Sequence, residues 1–519
     1  MSDFSDSVIS RQNWHTMRGG GISESLLPML RLNHNRLRTA RWFLVLLLAT
    51  CGCADRSLLR PTLHEQPPAA FSESGDEITQ SRWWTSFGDP NLNRQIEAAL
   101  GSNYSLASAE KRVRAARALA RREGSDLFGD LDGVVGLNST FGPGEDRTTL
   151  QWGLDGIYPV DLWGEIQSRV DAEHLRADAT NLNYHDFALT LSAEIARTWF
   201  ALVEAHAQVK LLDEQIESNR TGTELQESRF EEGLIRLADV LRQRQLLEST
   251  LEQAAIAKAR IEVLEHQLAI LVGEMPQTAS YNTGAQLPEL PPLPQTGLPS
   301  ELLQRRPDVR RDYVAFQAAD RDVASAISRL YPRVNLTASL LNVADSPETV
   351  LRDWFVSIGG QLIGPLLDGG ERQAEIDRTS AVLCELFLQY AQTMLTAFGE
   401  VEDALAREKY QLERIEHLEN QVKLAGQSSL QLREQYLIGD AEYLDVLSAS
   451  TGQQSLQRQL LSAQLDLVLI RVNLYRALAG DFDTRPQQSF LQSPLVDDEF
   501  DVVLDFEELA EKQEDESED

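Results

Sequence analysis

Hydrophobic and polar positions along this chain follow two different periods. Two stretches without proline, between Pro159 and Pro276 and between Pro365 and Pro486, carry apolar residues at helical spacing and read as long amphipathic helices. The first runs from Leu162 to Glu232, 71 residues or about 106 Å at 1.5 Å per residue; the second runs from Glu371 to Ile438, 68 residues or about 102 Å. Shorter helical patterns cover 91–127 and 235–273 in the first half, and 300–329 and 440–480 in the second. Four short segments alternate with a period of two instead. In 134–141, Val135, Leu137 and Phe141 oppose Asn138 and Thr140; in 148–158, Leu150, Trp152, Leu154 and Tyr158 oppose Thr149, Gln151 and Asp155. In 333–340, Val334, Leu336, Ala338 and Leu340 oppose Asn335, Thr337 and Ser339. In 354–362, Trp354, Val356, Ile358 and Leu362 oppose Ser357 and Gln361. These segments predict strands with one apolar and one polar face.

The elements recur in the same order. An offset of 206 relates Pro159 to Pro365, Gly164 to Gly370, Glu165 to Glu371, Tyr184 to Tyr390, Gly233 to Gly439 and Asp239 to Asp445. An earlier block, offset by 203, relates Ala115 and Ala116 to Ala318 and Ala319, and Phe128 to Tyr331. The chain is a tandem duplication of units too long for a solenoid repeat. Each repeat, 91–276 and 300–482, holds a helix, a β-hairpin (about 132–158 and 333–364) and a helical hairpin. The helical hairpins reverse at Gly233 and Gly439, where a positive φ is useful. A proline-rich connector, 277–299, joins the repeats and is stiff and extended.

Alternation alone fits a pair of hairpins packed on soluble helices as well as it fits membrane strands. Each segment is close to the roughly 9–11 residues a tilted membrane strand needs. Four strands leave two open edges, which lipid does not tolerate, and a barrel takes at least about eight strands. A membrane reading therefore requires more than one copy of the chain.

Composition narrows the function. The 519 residues carry a net charge of −32, which argues against a nucleic-acid partner. Residues 483–519 form an acidic tail, predicted to be solvated and disordered, whose last 23 residues hold 13 acids. There is no phosphate-binding G-x-x-x-x-G-K-[ST] loop, and the eight histidines are scattered without ligand spacing, so no enzyme, cofactor or metal site is expected. Of three cysteines, Cys384 reads as a small buried hydrophobe. Cys51 and Cys53 close the run "RWFLVLLLATCGC", preceded by Arg31, Arg36, Arg38 and Arg41. Phe43–Ala49 is too short to span a bilayer but suits a signal-peptide core. The end of the run resembles a bacterial lipoprotein processing site. Cys53 fits that site better than Cys51, because Gly52 precedes it. Residues 1–53 are thus expected to be a lipoprotein signal region, with Met29 an alternative start, and 54–90 an anchor linker ending in "WWTSFGDPNL".

Specific motifs then carry a resemblance. "WWTSFGDPNLNRQIEAAL" (83–100), "YPVDLWGEI" (158–166), "GLPSELLQRRPDVR" (297–310), "PLLDGGER" (365–372), "YLDVLSA" (443–449) and "LYRALAG" (474–480) resemble the TolC-like outer-membrane efflux proteins, in their NodT-type lipoprotein branch. The resemblance spans about residues 80–482. It implies a mainly α fold with a membrane β-barrel portion: a homotrimer with a 12-stranded barrel, four strands per protomer, continued by a long periplasmic α-helical barrel. It implies an exit duct of a tripartite pump, passing drugs, toxic compounds or metal ions, with a periplasmic adaptor and an inner-membrane pump as partners. A protein-secretion exit channel uses the same kind of duct, and a structural periplasmic coiled-coil lipoprotein or adaptor is a further alternative. By position, Gly233, Leu234 and Gly439 match the periplasmic turns that dock the adaptor. Asp239, Asp445, Ser448 and Tyr436 match the region of the channel constriction. The family usually has a second acid where Ser448 stands, and some members have an arginine where Ala441 stands, so the latch of the closed tip is not carried over. Cys53 matches the lipidated cysteine.

Overall fold

The computed structural model describes residues 68–485, apart from 78–79, 142–146, 279, 284–285, 346–347 and 481. Cys51, Cys53, the signal region and the acidic tail from 486 onward lie outside the described residues. Asp89 opens the first helix by accepting from the backbone of Asn91 and Leu92, with Pro90 at the first helical position, where its missing N–H costs nothing. That helix, α1 (Pro90–Ser102), stops at Asn103, whose extended backbone breaks the run and whose side chain caps α2 (Tyr104–Ser125) through Leu106 N. The single helix expected over 91–127 is therefore two. Apolar spacing continues through Asn103 and hides the break.

Strands β1 (Asp130–Thr140) and β2 (Arg147–Val160) follow. Asp161 then accepts from Glu165 N and Gln167 N, starting α3 (Glu165–Glu231), 67 residues and about 100 Å long. The helix begins three residues later than expected because Asp161 caps it. After the turn comes α4 (Leu237–Val272). In the second repeat α5 (Pro299–Arg305) and α6 (Pro307–Ser328) replace the one helix expected over 300–329. The reason is Pro307, which holds Arg306 in an extended conformation. Strands β3 (Arg333–Ala344) and β4 (Trp354–Ile363), helix α7 (Glu371–Ile438) and helix α8 (Tyr443–Leu478) complete the chain.

The duplication extends to the element boundaries. Moving α2 by 203 gives α6, and moving α4 by 206 gives α8, end for end. The hairpins agree in register as well, since Asp130 pairs with Ile157 and their equivalents Arg333 and Ile363 pair with each other. The two offsets differ because the loop after β3 (345–353) is three residues longer than that after β1 (141–146).

In each repeat the broken short helix (α1–α2, α5–α6) meets the last helix (α4, α8) end to end alongside the long one. At the first joint Ser102 Oγ donates to Val272 O and Asn103 Nδ2 to Leu271 O (2.8 Å). Gly273 is required there, because its φ is +92° and a Cβ would sit 2.5 Å from Ser102 O. Between the repeats, α3 packs against α6 at the strand end and against α8 at the turn end. The "WW…F" motif fills the core where these joints meet. Trp83 and Trp84 are fully buried, Phe87 lies against Phe200 and Tyr475, and Trp199 Nε1 donates to Asp89 Oδ2 (2.7 Å).

The strands form one antiparallel sheet in the order β1-β2-β3-β4, so both outer edges are unpaired among the described residues. Register puts Val135, Trp152, Asn342 and Trp354 in one row and Leu137 with Leu150 in the next, on a face that is almost wholly apolar. Asp132, Asp155, Ser339 and Ser357 line the opposite, polar face in one row. Leu131, Val135, Leu137, Val356, Ile358 and Leu362 are all exposed. An apolar sheet face exposed outward with a polar face behind it is the pattern of a lipid-facing barrel wall.

Candidate functional site

The two helical hairpins reverse at the end remote from the sheet. Gly233 (φ +70°) donates to Phe230 O and Leu234 N donates to Arg229 O. Gly439 (φ +85°) donates to Tyr436 O and Asp440 N to Gln435 O. These are left-handed helix caps of the kind glycine makes without strain. A Cβ at either glycine would meet nothing within 4 Å, so the requirement is conformational rather than steric. Around the turns Leu234, Leu237, Leu437, Ile438 and Leu444 are exposed, Ile438 at 79%. Only Leu234 was anticipated from the sequence. The signal for the others was apolar residues flanking a turn glycine, where a solvated turn would be polar.

The acids six residues past each glycine lie in the first turns of α4 and α8. Their surroundings differ. Asp239 keeps 20% of its side chain exposed and pairs with Arg242 at 3.2 Å. The position equivalent to Arg242 is Ser448, which has no charge to offer, and Asp445 is exposed with no ion pair among the described residues. Ser448 is itself exposed one turn along.

Tyr436 is half buried and faces the other hairpin of the same chain. The Arg229 guanidinium lies 4.8 Å from its ring centre, and its hydroxyl donates to Gln226 Oε1 at 3.2 Å. Its ring contacts Tyr443, whose hydroxyl donates to Gln243 Oε1 at 2.5 Å. Burial pushes the Tyr443 hydroxyl above its ordinary pKa, with Tyr436 and Asp239 adding to the shift. The tyrosines thus hold the two hairpins together just inside the turns. Behind them a cavity of about 500 Å³ is lined by amides, including Gln215, Asn219, Gln226, Gln243 and Gln454. Asn219 and Gln454 exchange hydrogen bonds there, and Gln215 donates to Gln457. Gln226, Gln243 and Tyr443 were not singled out from the sequence, because their roles depend on which helices become neighbours. Among the described residues no group of three His, Cys, Asp or Glu converges to hold a metal. Cys384 is a half-buried free thiol on α7.

Comparison with known proteins places this geometry. The family model described as "Outer membrane efflux protein" matches residues 95–274 and 298–480, one segment in each repeat. The pyoverdine export outer membrane protein OpmQ of Pseudomonas aeruginosa is 28% identical over 472 residues, covering 85% of this chain and 96% of the relative. The solvent efflux pump outer membrane protein SrpC of Pseudomonas putida is 30% identical over 414 residues, covering 76% and 86%. Among solved structures, the outer-membrane channel OprN matches with a TM-score of 0.76 at 26% identity, over 83% of this chain and all of that one. The outer membrane channel CmeC of Campylobacter jejuni shares the fold, with a TM-score of 0.75 at 23% identity, over 83% and 96%. The sheet is the outer-membrane portion of a TolC-like channel and the long helices its periplasmic portion. With its duplicated helical hairpins and its four-stranded sheet open at both edges, this chain belongs to the outer membrane efflux protein family.

Proposed function

We propose that three copies close into a 12-stranded barrel in the outer membrane. The sheet's polar face then lines a passive duct, and long helices carry that duct through the periplasm to the ends marked by Gly233 and Gly439. One observation carries this reading. The sheet has an exposed apolar face, a polar face and two unpaired edges, and it continues directly into helices about 100 Å long. Edge strands facing hydrocarbon are stable only when paired, so the single chain is incomplete.

The exposed leucines and Ile438 around the turns form the surface offered to a periplasmic adaptor, which couples the duct to an inner-membrane pump. The chain supplies passage and no chemical step. The relatives' names cover pyoverdine, solvents and, for the cation efflux system protein CusC of Escherichia coli at 25% identity, cations. The cargo of this duct is accordingly small molecules or metal ions, chosen by the pump.

The test combines assembly and conductance. Purified full-length protein should migrate as a heat-dissociable oligomer and produce discrete conductance steps in planar bilayers. A protein that remains monomeric in detergent and silent in bilayers would rule the duct out.

A further inference from the structure

The apolar face of the sheet carries one buried amide. Register sets Trp152, Asn342 and Trp354 side by side in one row of β2, β3 and β4. The two indoles close over the amide from either side, with ring centres 4.8 Å apart and planes at 73°. Asn342 is fully buried beneath them. Its Nδ2 donates to Asp353 O (2.9 Å), but its Oδ1 has no hydrogen-bond partner among the described residues, and neither has Trp152 Nε1. Trp354 is the fixed ring, because its own Nε1 donates to Leu351 O at 3.2 Å. An acceptor and a donor on adjacent residues are thus left unsatisfied, which is costly on a face turned to hydrocarbon.

The row lies at the level of the outer leaflet's headgroups. Asn342 stands nine residues beyond Arg333, where β3 leaves the helical end, about 30 Å along the strand at 3.3 Å per residue. At a tilt of about 40° that is roughly 23 Å of height, the outer edge of an apolar band about 25 Å tall. A general aromatic girdle would place rings on every strand at this level. The duplication shows that these rings are local instead. Offsets of 203 and 206 turn Trp152, Asn342 and Trp354 into Ile358, Ser139 and Thr148. Ser139 and Thr148 satisfy each other at 3.0 Å. The cluster of two tryptophans and an amide therefore occurs once per chain, and its equivalents carry neither a ring nor an unpaired amide.

We infer that Trp152, Asn342 and Trp354 form a binding site for the headgroup of an outer-leaflet saccharolipid (lipopolysaccharide), one per chain. This rests on the outer-membrane barrel proposed above. A sugar presents C–H faces that stack on indole rings, and hydroxyl and amide groups that donate to Asn342 Oδ1 and accept from Trp152 Nε1. Access needs only Trp152 to turn from Trp354, which breaks no hydrogen bond of its indole. Below the row, exposed Leu154, Leu340, Val356 and Ile358 continue the apolar surface for acyl chains. Above it, Arg352 is exposed two residues before Trp354, and its pair with the exposed Asp353 is a weak surface one. Its guanidinium is therefore available to a sugar phosphate. A glycerophospholipid offers the phosphate but no sugar ring to stack, so it satisfies only part of the site.

Lipid retention tests the site. Full-length protein, delipidated in detergent, is titrated with short-core lipopolysaccharide or with phosphatidylethanolamine and read by native mass spectrometry. The wild type should retain one lipopolysaccharide per chain in preference to phosphatidylethanolamine. Asn342→Leu and Trp354→Leu should each weaken that retention about tenfold and leave phosphatidylethanolamine unchanged. Trp152→Phe keeps a ring and loses only the N–H, so it should weaken retention about threefold. Arg352→Gln should weaken binding of phosphorylated lipopolysaccharide and spare the dephosphorylated form. Leu137→Ala, on the same apolar face but away from the row, should change nothing. If Asn342→Leu fails to assemble, Trp152→Phe and Arg352→Gln carry the test. Retention equal to wild type in Trp152→Phe and Trp354→Leu, or phosphatidylethanolamine held as tightly as lipopolysaccharide, overturns the site. Planar-bilayer conductance separates the two readings. A conducting oligomer without lipid preference loses only this site, whereas a silent, monomeric wild type loses the barrel.

Discussion

Asn103 and Arg306 stand at equivalent positions and make the same contact. Asn103 Nδ2 donates to Leu271 O, and Arg306 Nη1 donates to Ala477 O, 206 residues further along. Each sits where a short helix ends against the last turn of another. The second joint carries more, because Arg306 is buried and also binds Asp308 and Glu400. Arg306→Ala leaves Asp308 without its guanidinium, while Glu400 keeps Arg476, and is expected to cost about 2–3 kcal/mol. Asn103→Ala removes a cap and one joint bond and should cost about 1 kcal/mol. Denaturant titration of the detergent-solubilised protein, monitored by tryptophan fluorescence, measures both.

The same joint sets a pH dependence. Burial opposes ionisation of Asp308, but the Arg306 guanidinium and the backbone N–H of Val309 outweigh it and hold its carboxyl below the ordinary range. A depressed folded pKa means the stabilisation is present above the unfolded value near pH 4 and is lost as pH falls through the folded value. Asp308→Asn should therefore lower the melting temperature at pH 6. The gap to wild type should close as pH falls below about 4, the ordinary carboxylate value. A constant gap across that range would mean the carboxylate charge contributes nothing.

Much of this architecture was legible in the sequence because long proline-free helices and period-two strands leave strong patterns. Gly439 interrupts the proline-free run between Pro365 and Pro486, and the helix before it spans Glu371–Ile438 as read. The breaks at Asn103 and Arg306 were not read. One capping residue interrupts a helix without disturbing its apolar stripe, although the proline after Arg306 was in view. At the turns, glycine and acid positions were visible as repeats, but the contrast between Asp239 and Asp445 emerged only with Arg242 and Ser448 in place. The pairing of Tyr443 with Gln243 spans 200 residues and depends on which helices pack together.

Anchoring is tested through Cys53, which lies outside the described residues. Lipid on Cys53 is expected from the run "LLLATCGC", and one acyl chain alone would bind only marginally without the barrel. Palmitate labelling should persist in Cys51→Ser and vanish in Cys53→Ser. Label that survives loss of Cys53 removes the assignment.

The turn glycines are tested by coupling rather than by folding. Leucine at Gly233 or Gly439 must adopt a positive φ, at a cost of about 1–2 kcal/mol, while meeting no atom nearby. Each variant should still form heat-dissociable oligomers but export poorly at native expression, with cross-linking to the adaptor reduced. Normal export by Gly233→Leu/Gly439→Leu would show that these turns take no part in docking.

The two acids beyond the turns should behave unequally. Asp239 is partly screened and answered by Arg242, whereas Asp445 is exposed beside an uncharged Ser448. In an assembled duct three copies of Asp445 would surround one axis close to the narrow end, and like charges there focus a negative potential that draws cations. Asp445→Ala should therefore reduce cation preference and block by divalent ions in planar bilayers and raise conductance, with Asp239→Ala doing less. Arg242→Ala supplies the complementary arm, since it frees Asp239 and should increase cation preference. Ser448→Arg, placing a cation where the first repeat has one, should mimic Asp445→Ala in selectivity. If conductance, selectivity and block are unchanged in Asp239→Ala/Asp445→Ala, both acids only favour the positive ends of their helices.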